Sequence, residues 1–435
     1  MRIAMFTESY LPYINGVVTH VKSLKDGLER AGHQVLIVTV DVKARHHHLE
    51  GDVLYCPGKE LKRLYDYGLA NPFSRTRFRI IQQFHPDIIH IHTEFGVGLS
   101  AVRIARKLQI PYVYTLHTMY EDYLYYVAPK PFIPMVRIMS RRYFKYFAQH
   151  SQAVTGPSAK VQEYLDECHA DRKVNVVPNP VELDKFSPDK VNWDHVAQLK
   201  QKYGFGEGEL IAGFCGRLGR EKSVDVLLDY FSQEVKREDG IKLMIIGDGP
   251  SRPELVELSQ KLGISDLVTF VGAVDHNEIL DYYACLDVYV TASLSDTNSI
   301  SMLEGMATGL PVLHINDPLN AGQVQPGVNG FIYKDAKELY RLLLEQKQRT
   351  PQERKILSAS VRQSVQSSGQ EALANYLLAI YQQVEGEGSS RNRSHLQVVE
   401  AQGRELEQRF FRTERTLRRK AARRAAAKRR NKRKK

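Results

Sequence analysis

The sequence predicts an α/β protein built from two Rossmann-like doubly wound domains that face a cleft, followed by a basic C-terminal extension. Two observations predict it. Short continuous Val/Ile runs, the signature of strands buried on both faces of a parallel sheet, alternate with longer amphipathic stretches. This rhythm stops at a proline-rich passage and then restarts.

The first set begins with a strand at Ile3–Phe6, a helix at Val17–Arg30 closed by Gly32, and a strand at Val35–Val40. Strands at Ile88–Ile91 and Tyr112–Leu116 follow, with helical stretches around them. Pro178–Pro188 holds three prolines and little periodicity, which reads as a linker. The second set places strands at Leu210–Cys215, Leu243–Ile246, Val268–Val271, Val288–Thr291 and Val312–Ile315. The expected organisation is therefore one Rossmann-like domain over 1–183 and a second over 184–368. A helix over 369–385 is expected to return towards the first domain, and 386–435 to hold a flexible spacer, an amphipathic helix and a polybasic tail. In parallel α/β folds ligands bind at the carboxyl ends of the strands, so the cleft is where chemistry is expected.

Composition narrows the class. Of 435 residues 43% are apolar and 26% charged, an ordinary globular balance. No apolar run is long enough to span a bilayer, and the acid at Glu8 sits where a secretory signal would need its apolar centre. Cys56, Cys168, Cys215 and Cys285 are scattered, which suggests neither a disulfide framework nor a zinc ribbon and fits the cytoplasm. The net charge of +11 divides unevenly: residues 403–435 hold 16 Lys/Arg against 3 acids, so the remaining body is close to neutral. That body does not advertise a nucleic-acid surface.

Three loops at strand ends carry candidate chemistry. Gly16 opens the first helix, where backbone N–H groups and the helix dipole could meet a phosphate; a simple Asn15-Gly16 turn explains the residues as well. The G-x-G-x-x-G dinucleotide fingerprint is absent there, which counts against a dehydrogenase. Gly216-Arg217-Leu218-Gly219-Arg220-Glu221-Lys222 sets two cations five residues apart after a strand, a diphosphate clamp or a solvated basic loop. Ser295-Asp296-Thr297-Asn298-Ser299-Ile300 leads to Glu304. Its acids could hold sugar and ribose hydroxyls, or Ser295 and Asp296 could cap a helix.

Together, and in this order, these loops resemble the retaining GT-B glycosyltransferases of family 4. The family's G-R-L-x-x-E-K is matched by Gly216–Lys222, its E-x₇-E by Asp296 and Glu304, and its E-A-M-A-x-G-x-P-V by Glu304–Val312. Gly247-Asp248-Gly249-Pro250 and Pro178-Asn179 also match, and the resemblance covers about residues 1–385. His92-Thr93-Glu94-Phe95-Gly96 and the His117–Tyr123 stretch look most like bacterial diacylglycerol glucosyl- and galactosyltransferases.

The resemblance implies transfer of a hexose, from UDP-glucose or UDP-galactose, to a lipid such as diacylglycerol or a monoglycosyl-diacylglycerol. It gives Arg217 and Lys222 the diphosphate, assisted by Gly16, and Asp296 the sugar; His117, at a strand end, is a catalytic candidate to hold the sugar's hydroxyls or orient the acceptor, with a core histidine as the alternative. Asn298, Ser299, Ile300 and Glu304 complete the donor pocket. Three departures stand out: Asp296 is a shorter arm than the family's Glu, Asn298-Ser299 lacks the usual glycine, and Pro180 replaces another. No D-x-D occurs, so no metal or other cofactor is expected beyond the nucleotide-sugar co-substrate.

His92, Glu94, Tyr120 and Tyr123 are candidates for the acceptor side. Arg141, Arg142 and Lys145, on the basic amphipathic stretch Met135–Phe147, are candidates for an anionic membrane. Twelve of the last 18 residues are basic, and each near an anionic bilayer contributes about 1 kcal/mol. With Phe410 and Phe411 as apolar anchors, the expectation is peripheral attachment to the inner face of the cell membrane. A soluble or polysaccharide acceptor, and a nucleic-acid-binding role for the tail, are the alternatives; the tail alone does not make nucleic acid the expected partner.

Overall fold

A computed structural model describes residues 1–13, 15–61, 67–117, 130–318 and 322–390. Residues 1–381 form one compact unit containing two sheets. The first sheet takes β1 (Arg2–Phe6), β2 (Gln34–Asp41), β3 (His48–Glu50), β4 (Val53–Leu61), β5 (Tyr67–Ala70), β6 (Ile88–Ile91), β7 (Tyr112–Thr115), β8 (Ala153–Gly156) and β9 (Val174–Val176). Its order is β3-β4-β2-β1-β6-β7-β8-β9 with β5 on β4, and only the β3–β4 and β4–β5 pairs are antiparallel. The second sheet, β12-β11-β10-β13-β14-β15, is parallel throughout. It comprises β10 (Leu210–Cys215), β11 (Ile241–Ile246), β12 (Val268–Gly272), β13 (Val288–Thr291), β14 (Val312–Ile315) and β15 (Gly330–Tyr333).

Strand order reverses between β1 and β6 in the first sheet and between β10 and β13 in the second. Chains leaving neighbouring strands on opposite sides open a crevice at such points. Every strand predicted from a Val/Ile run is present. Unpredicted are β3, β4 and β5, whose mixed polar sequence suits a sheet edge, together with the short β8, β9 and β15.

Helix α1 (Gly16–Arg30) starts where Asn15 Oδ1 accepts the Val18 N–H at 3.0 Å, which satisfies one orphan donor of the first turn. Helices α2 (Arg75–Phe84), α3 (Gly96–Leu108), α4 (Ile133–His150) and α5 (Lys160–Glu167) complete the first lobe. The second lobe carries α6 (Trp193–Lys202), α7 (Val224–Glu234), α8 (Arg252–Lys261), α9 (Ile279–Ala284), α10 (Ile300–Thr308), α11 (Ala336–Gln348) and α12 (Pro351–Ser364). One core fills the first lobe, and separate clusters cover the second lobe's sheet.

Helix α13 (Gln370–Ser390) departs from expectation. It runs through Glu385–Ser390, the stretch expected to be a flexible spacer. Two glycines in a helix cost about 1 kcal/mol each, which a long helix already nucleated can absorb. Within residues 370–381 this helix packs on α1, where an added Cβ at Gly27 would lie 2.9 Å from the Ala374 Cβ. It also reaches β6, where the Tyr381 hydroxyl meets His90 Nδ1 at 2.6 Å.

Candidate active site

In the second lobe, β10 ends at Cys215 and the chain turns through Gly216–Lys222, the last three residues forming a 3₁₀ turn. Gly247 (φ +133°), after the neighbouring β11, packs so closely that a Cβ there would lie 1.9 Å from the Gly216 carbonyl oxygen. Only glycine permits both that backbone angle and that approach. The two family glycine motifs thus meet, and they fix the path of the cation loop.

The cation loop faces the loop after β13. Lys222 Nζ hydrogen-bonds the Asp296 carboxylate, and the Ser295 hydroxyl donates to the Glu221 carbonyl at 2.8 Å. Burial would push the Asp296 carboxyl up, but the Lys222 charge and hydrogen bond, helped by Ser293 and His314, outweigh it and hold the carboxyl below its usual value. Arg217 Nη1 lies 3.7 Å from the Glu221 carboxylate, with the guanidinium partly exposed.

The structure decides the open question about Asp296. The cap of α10 is Ser299, not Ser295, and it accepts the Met302 N–H. Asp296 stands four residues ahead of the helix, in a loop, as half of an ion pair. Glu304 lies inside α10, nearly buried, where its carboxylate accepts from the Tyr283 hydroxyl at 2.9 Å and meets His276 Nε2 at 3.2 Å. Neither Tyr283 nor His276 was legible as a site residue, because both belong to the α9 region, distant in sequence.

The first lobe answers across the crevice. A Cβ on Gly16 would lie 4.0 Å from Ile300 Cδ1, so the start of α1 faces the start of α10. The Thr297 hydroxyl reaches the His117 carbonyl at 3.4 Å. His20 Nδ1 meets Asn179 Oδ1 at 2.6 Å, and Asn179 donates twice to Asn298: its N–H to Asn298 Oδ1 at 2.8 Å and its side-chain amide to the Asn298 carbonyl at 2.5 Å. Asn298, one of the departures from the family pattern, therefore ties the loop after β13 to the linker.

His117 belongs to a histidine cluster. Its Nε2 sits 2.9 Å from His92 Nδ1, its ring centroid is 4.5 Å from that of His20, and the His90 and His92 centroids are 4.0 Å apart. Burial lowers all four: His20 to about 4 and His90 to about 3, with His92 and His117 well below the ordinary range. Neutral imidazoles can each donate one hydrogen bond and accept another. Among the described residues His20, His92 and His117 are the group whose nitrogens, within 4.8 Å of one another, could hold a cation; here His92 and His117 are bonded to each other.

The acceptor-side candidates fare differently. Glu94 is buried and its carboxylate accepts from the Tyr114 hydroxyl at 2.7 Å, so this arrangement does not offer it to a ligand. His92 is equally buried and serves as a neighbour of His117. Tyr120 and Tyr123 lie outside the described residues, as do Phe410 and Phe411.

On α4 the aromatic residues expected beside the cations do not face outward: Phe144 and Phe147 are in the core. The exposed apolar side chains are instead Met135, Ile138 and Met139, preceded by Phe132. Arg142 is exposed and Lys145 half-buried, while Arg141 pairs with Glu167 of α5 at 2.5 Å. The helix thus has two apolar sides, one packed on the sheet and one open near its N-terminal end.

Comparison with known proteins agrees with this geometry. Residues 14–185 match the family model Glycosyltransferase Family 4, and residues 196–360 match Glycosyl transferases group 1. An alpha-monoglucosyldiacylglycerol synthase of Streptococcus pneumoniae is 33% identical over 81% of this chain and 79% of its own length. The chain is a family 4 glycosyltransferase. A second alpha-monoglucosyldiacylglycerol synthase, from Acholeplasma laidlawii, is 31% identical to this glycosyltransferase over 80% of the chain and 88% of its own. Its GT-B fold is shared with a glycosyltransferase of Rickettsia africae (TM-score 0.68, 17% identity, 88% of this chain and 98% of that one). Anabaena HepE in complex with UDP is similar in fold (TM-score 0.66, 17% identity, 88% of this chain and all of that one). The enzyme is a hexosyltransferase, and both synthases are named for the glucosyldiacylglycerol they make.

Proposed function

We propose that this glycosyltransferase moves glucose or galactose from its UDP conjugate, with retention of anomeric configuration, onto a membrane lipid, diacylglycerol or a monoglycosyl-diacylglycerol. The convergence of Arg217, Lys222 and Asp296 on a crevice faced by Gly16 and His117 carries the reading. The bond from the anomeric carbon to the β-phosphate oxygen breaks, and the acceptor hydroxyl bonds to that carbon on the same face. The acceptor proton passes to the departing diphosphate.

Charge grows on the diphosphate as the sugar leaves, and Arg217 and Lys222 supply two fixed cations for it without a metal ion. In this reading Lys222 exchanges part of its bond to Asp296 for phosphate oxygen, which frees the carboxylate for sugar hydroxyls. Glu304, oriented by Tyr283 and His276, takes the ribose. His117, neutral, orients sugar or acceptor hydroxyls. Incubation of the full chain with UDP-glucose, UDP-galactose or GDP-mannose and diacylglycerol in mixed micelles tests the assignment. An α-glycosylated diacylglycerol from a UDP-sugar is the expected product, and turnover only with GDP-mannose or only on soluble sugars would overturn it.

Lipid access is assigned to the open side of α4 together with the polybasic tail. No described helix is long and apolar enough to cross a membrane, so attachment is peripheral in this reading. Met135→Glu with Ile138→Glu is expected to weaken co-flotation with phosphatidylglycerol vesicles by roughly tenfold or more, since each buried apolar side chain contributes about 1.5–3 kcal/mol. Unchanged flotation of that variant, in a chain also shortened before residue 390, would remove α4 from the membrane surface.

A further inference from the structure

Lys160 opens α5 in the first lobe, yet its ammonium is bound wholly to the second. Nζ donates to the Leu294 carbonyl at 2.8 Å and the Asp296 carbonyl at 3.0 Å, and it pairs with the Asp317 carboxylate at 2.5 Å. The lysine side chain is 1% exposed and that of Asp317 7%. Two carbonyls therefore accept from the ammonium and one carboxylate pairs with it, all of them across the lobe boundary.

Stability of α5 does not ask for this residue. A cation in the first turn opposes the helix dipole, and ordering a buried lysine costs side-chain entropy. What the contact does accomplish is specific to the loop it grips. Leu294 and Asp296 flank Ser295 in the segment that presents Asp296 to Lys222. In a planar trans peptide the carbonyl and the following N–H point in opposite directions. Pinning the Leu294 and Asp296 carbonyls on Lys160 therefore turns the N–H groups of Ser295 and Thr297 away from it. One ammonium sets two peptide planes on either side of Asp296, and it does so only while the lobes are together.

We infer that Lys160, held by Asp317, is a positioning residue for sugar transfer: a first-lobe cation that shapes the second lobe's donor loop and so couples lobe approach to assembly of the donor site. This inference rests on the donor-site reading above for its kinetic consequence, but not for its structural one. Arg217 and Lys222, the proposed grip on the diphosphate, are not touched by Lys160, so nucleotide affinity and turnover are expected to separate.

Purified full-length Lys160→Met, Lys160→Arg and Asp317→Asn variants test it. Amide hydrogen exchange in the peptide covering 292–299 is expected to quicken by about tenfold in Lys160→Met while exchange in the β10 and β11 peptides stays as in the parent. Turnover with the UDP-sugar is expected to fall by about 10²-fold, with the affinity for UDP changed less than about threefold, because the loop is misplaced rather than lost. Asp317→Asn shifts both readings in the same direction by less, and Lys160→Arg restores part of the turnover. Unaltered exchange at 292–299, or exchange that rises throughout both lobes together with loss of UDP binding, would overturn the inference. Should the parent protein turn over no UDP-sugar, the donor assignment fails, and the exchange experiment still decides the role of Lys160.

Discussion

Lys222→Ala is expected to lower turnover with the sugar nucleotide by about 10²–10³-fold, as removal of one preorganised charge-stabilising contact does elsewhere. The side chain has two tasks here. In the free enzyme it holds Asp296, and in the proposed reaction it meets the diphosphate. Removing it leaves the Asp296 carboxylate largely buried without its principal cation, so the carboxyl's tendency to stay ionised weakens as well. Arg217→Ala is expected to cost a similar factor in kcat. The double variant should lose less than the product of the two, because both groups act on one developing charge. Steady-state kinetics with the UDP-sugar, beside the thermal midpoint of each variant, checks this. Turnover within threefold of the parent in the double variant would contradict the proposed role of the loop.

Acidification is expected to destabilise the protein well above the pH at which carboxylates normally titrate. His20, His90 and His92 are buried and His117 half-buried, and desolvation keeps all four neutral, with His20 lowered to about 4 and His90 to about 3. Between about pH 6.5 and those values the unfolded chain binds protons that the folded chain refuses. Each such histidine therefore withdraws stability as pH falls, at up to about 1.4 kcal/mol per pH unit.

Glu8 acts in the opposite sense. Burial, against hydrogen bonds from Thr93 and Val97, pushes it up to about 7, so between 4.5 and 7 the folded chain holds a proton the unfolded one releases. The histidines outnumber the glutamate, so the expected net result is a loss of stability as pH falls from 6.5 to 5. The depressed Asp296 contributes stability above its unfolded value and loses it only below that window. Urea midpoints at pH 7.5, 6.5 and 5 measure the slope. A flat profile would show that the cluster admits a proton without unfolding.

Much of the proposed donor site could be read from the sequence because its parts are local. The Gly216–Lys222 and Asp296–Glu304 segments each lie within one strand-to-helix turn, and the chemistry they need is written in consecutive residues. The β-strands flanking them were equally plain, since burial on both faces demands unbroken Val/Ile runs. The edge strands β3 to β5 were not, because one solvated side dilutes the pattern with polar residues. The continuation of α13 through Gly386 and Gly388 was misread for a related reason: propensity acts locally, whereas helix continuation depends on what precedes it.

Residue types that depend on long-range company were the ones the sequence left open or turned the wrong way. Glu94 is an acceptor-side candidate by its motif, and it is buried and accepts from the Tyr114 hydroxyl. The basic and aromatic residues of α4 read as one amphipathic face, and they divide between core and surface. Lys160 and His20 carry no motif of their own.

By itself, then, the amino-acid order determined two doubly wound lobes, a cation loop, an acid loop and a strongly basic tail, because each of these is encoded by neighbours within a turn or two. The tertiary structure alone decided that Asp296 pairs with Lys222 rather than capping a helix, that Asn179 and Asn298 join linker to loop, that four histidines share one dry cluster, and that Lys160 crosses between lobes. Those contacts join residues between 25 and 159 positions apart. No periodicity or spacing rule reaches so far; only the packing of one sheet's strand ends against another's brings such groups within hydrogen-bond range.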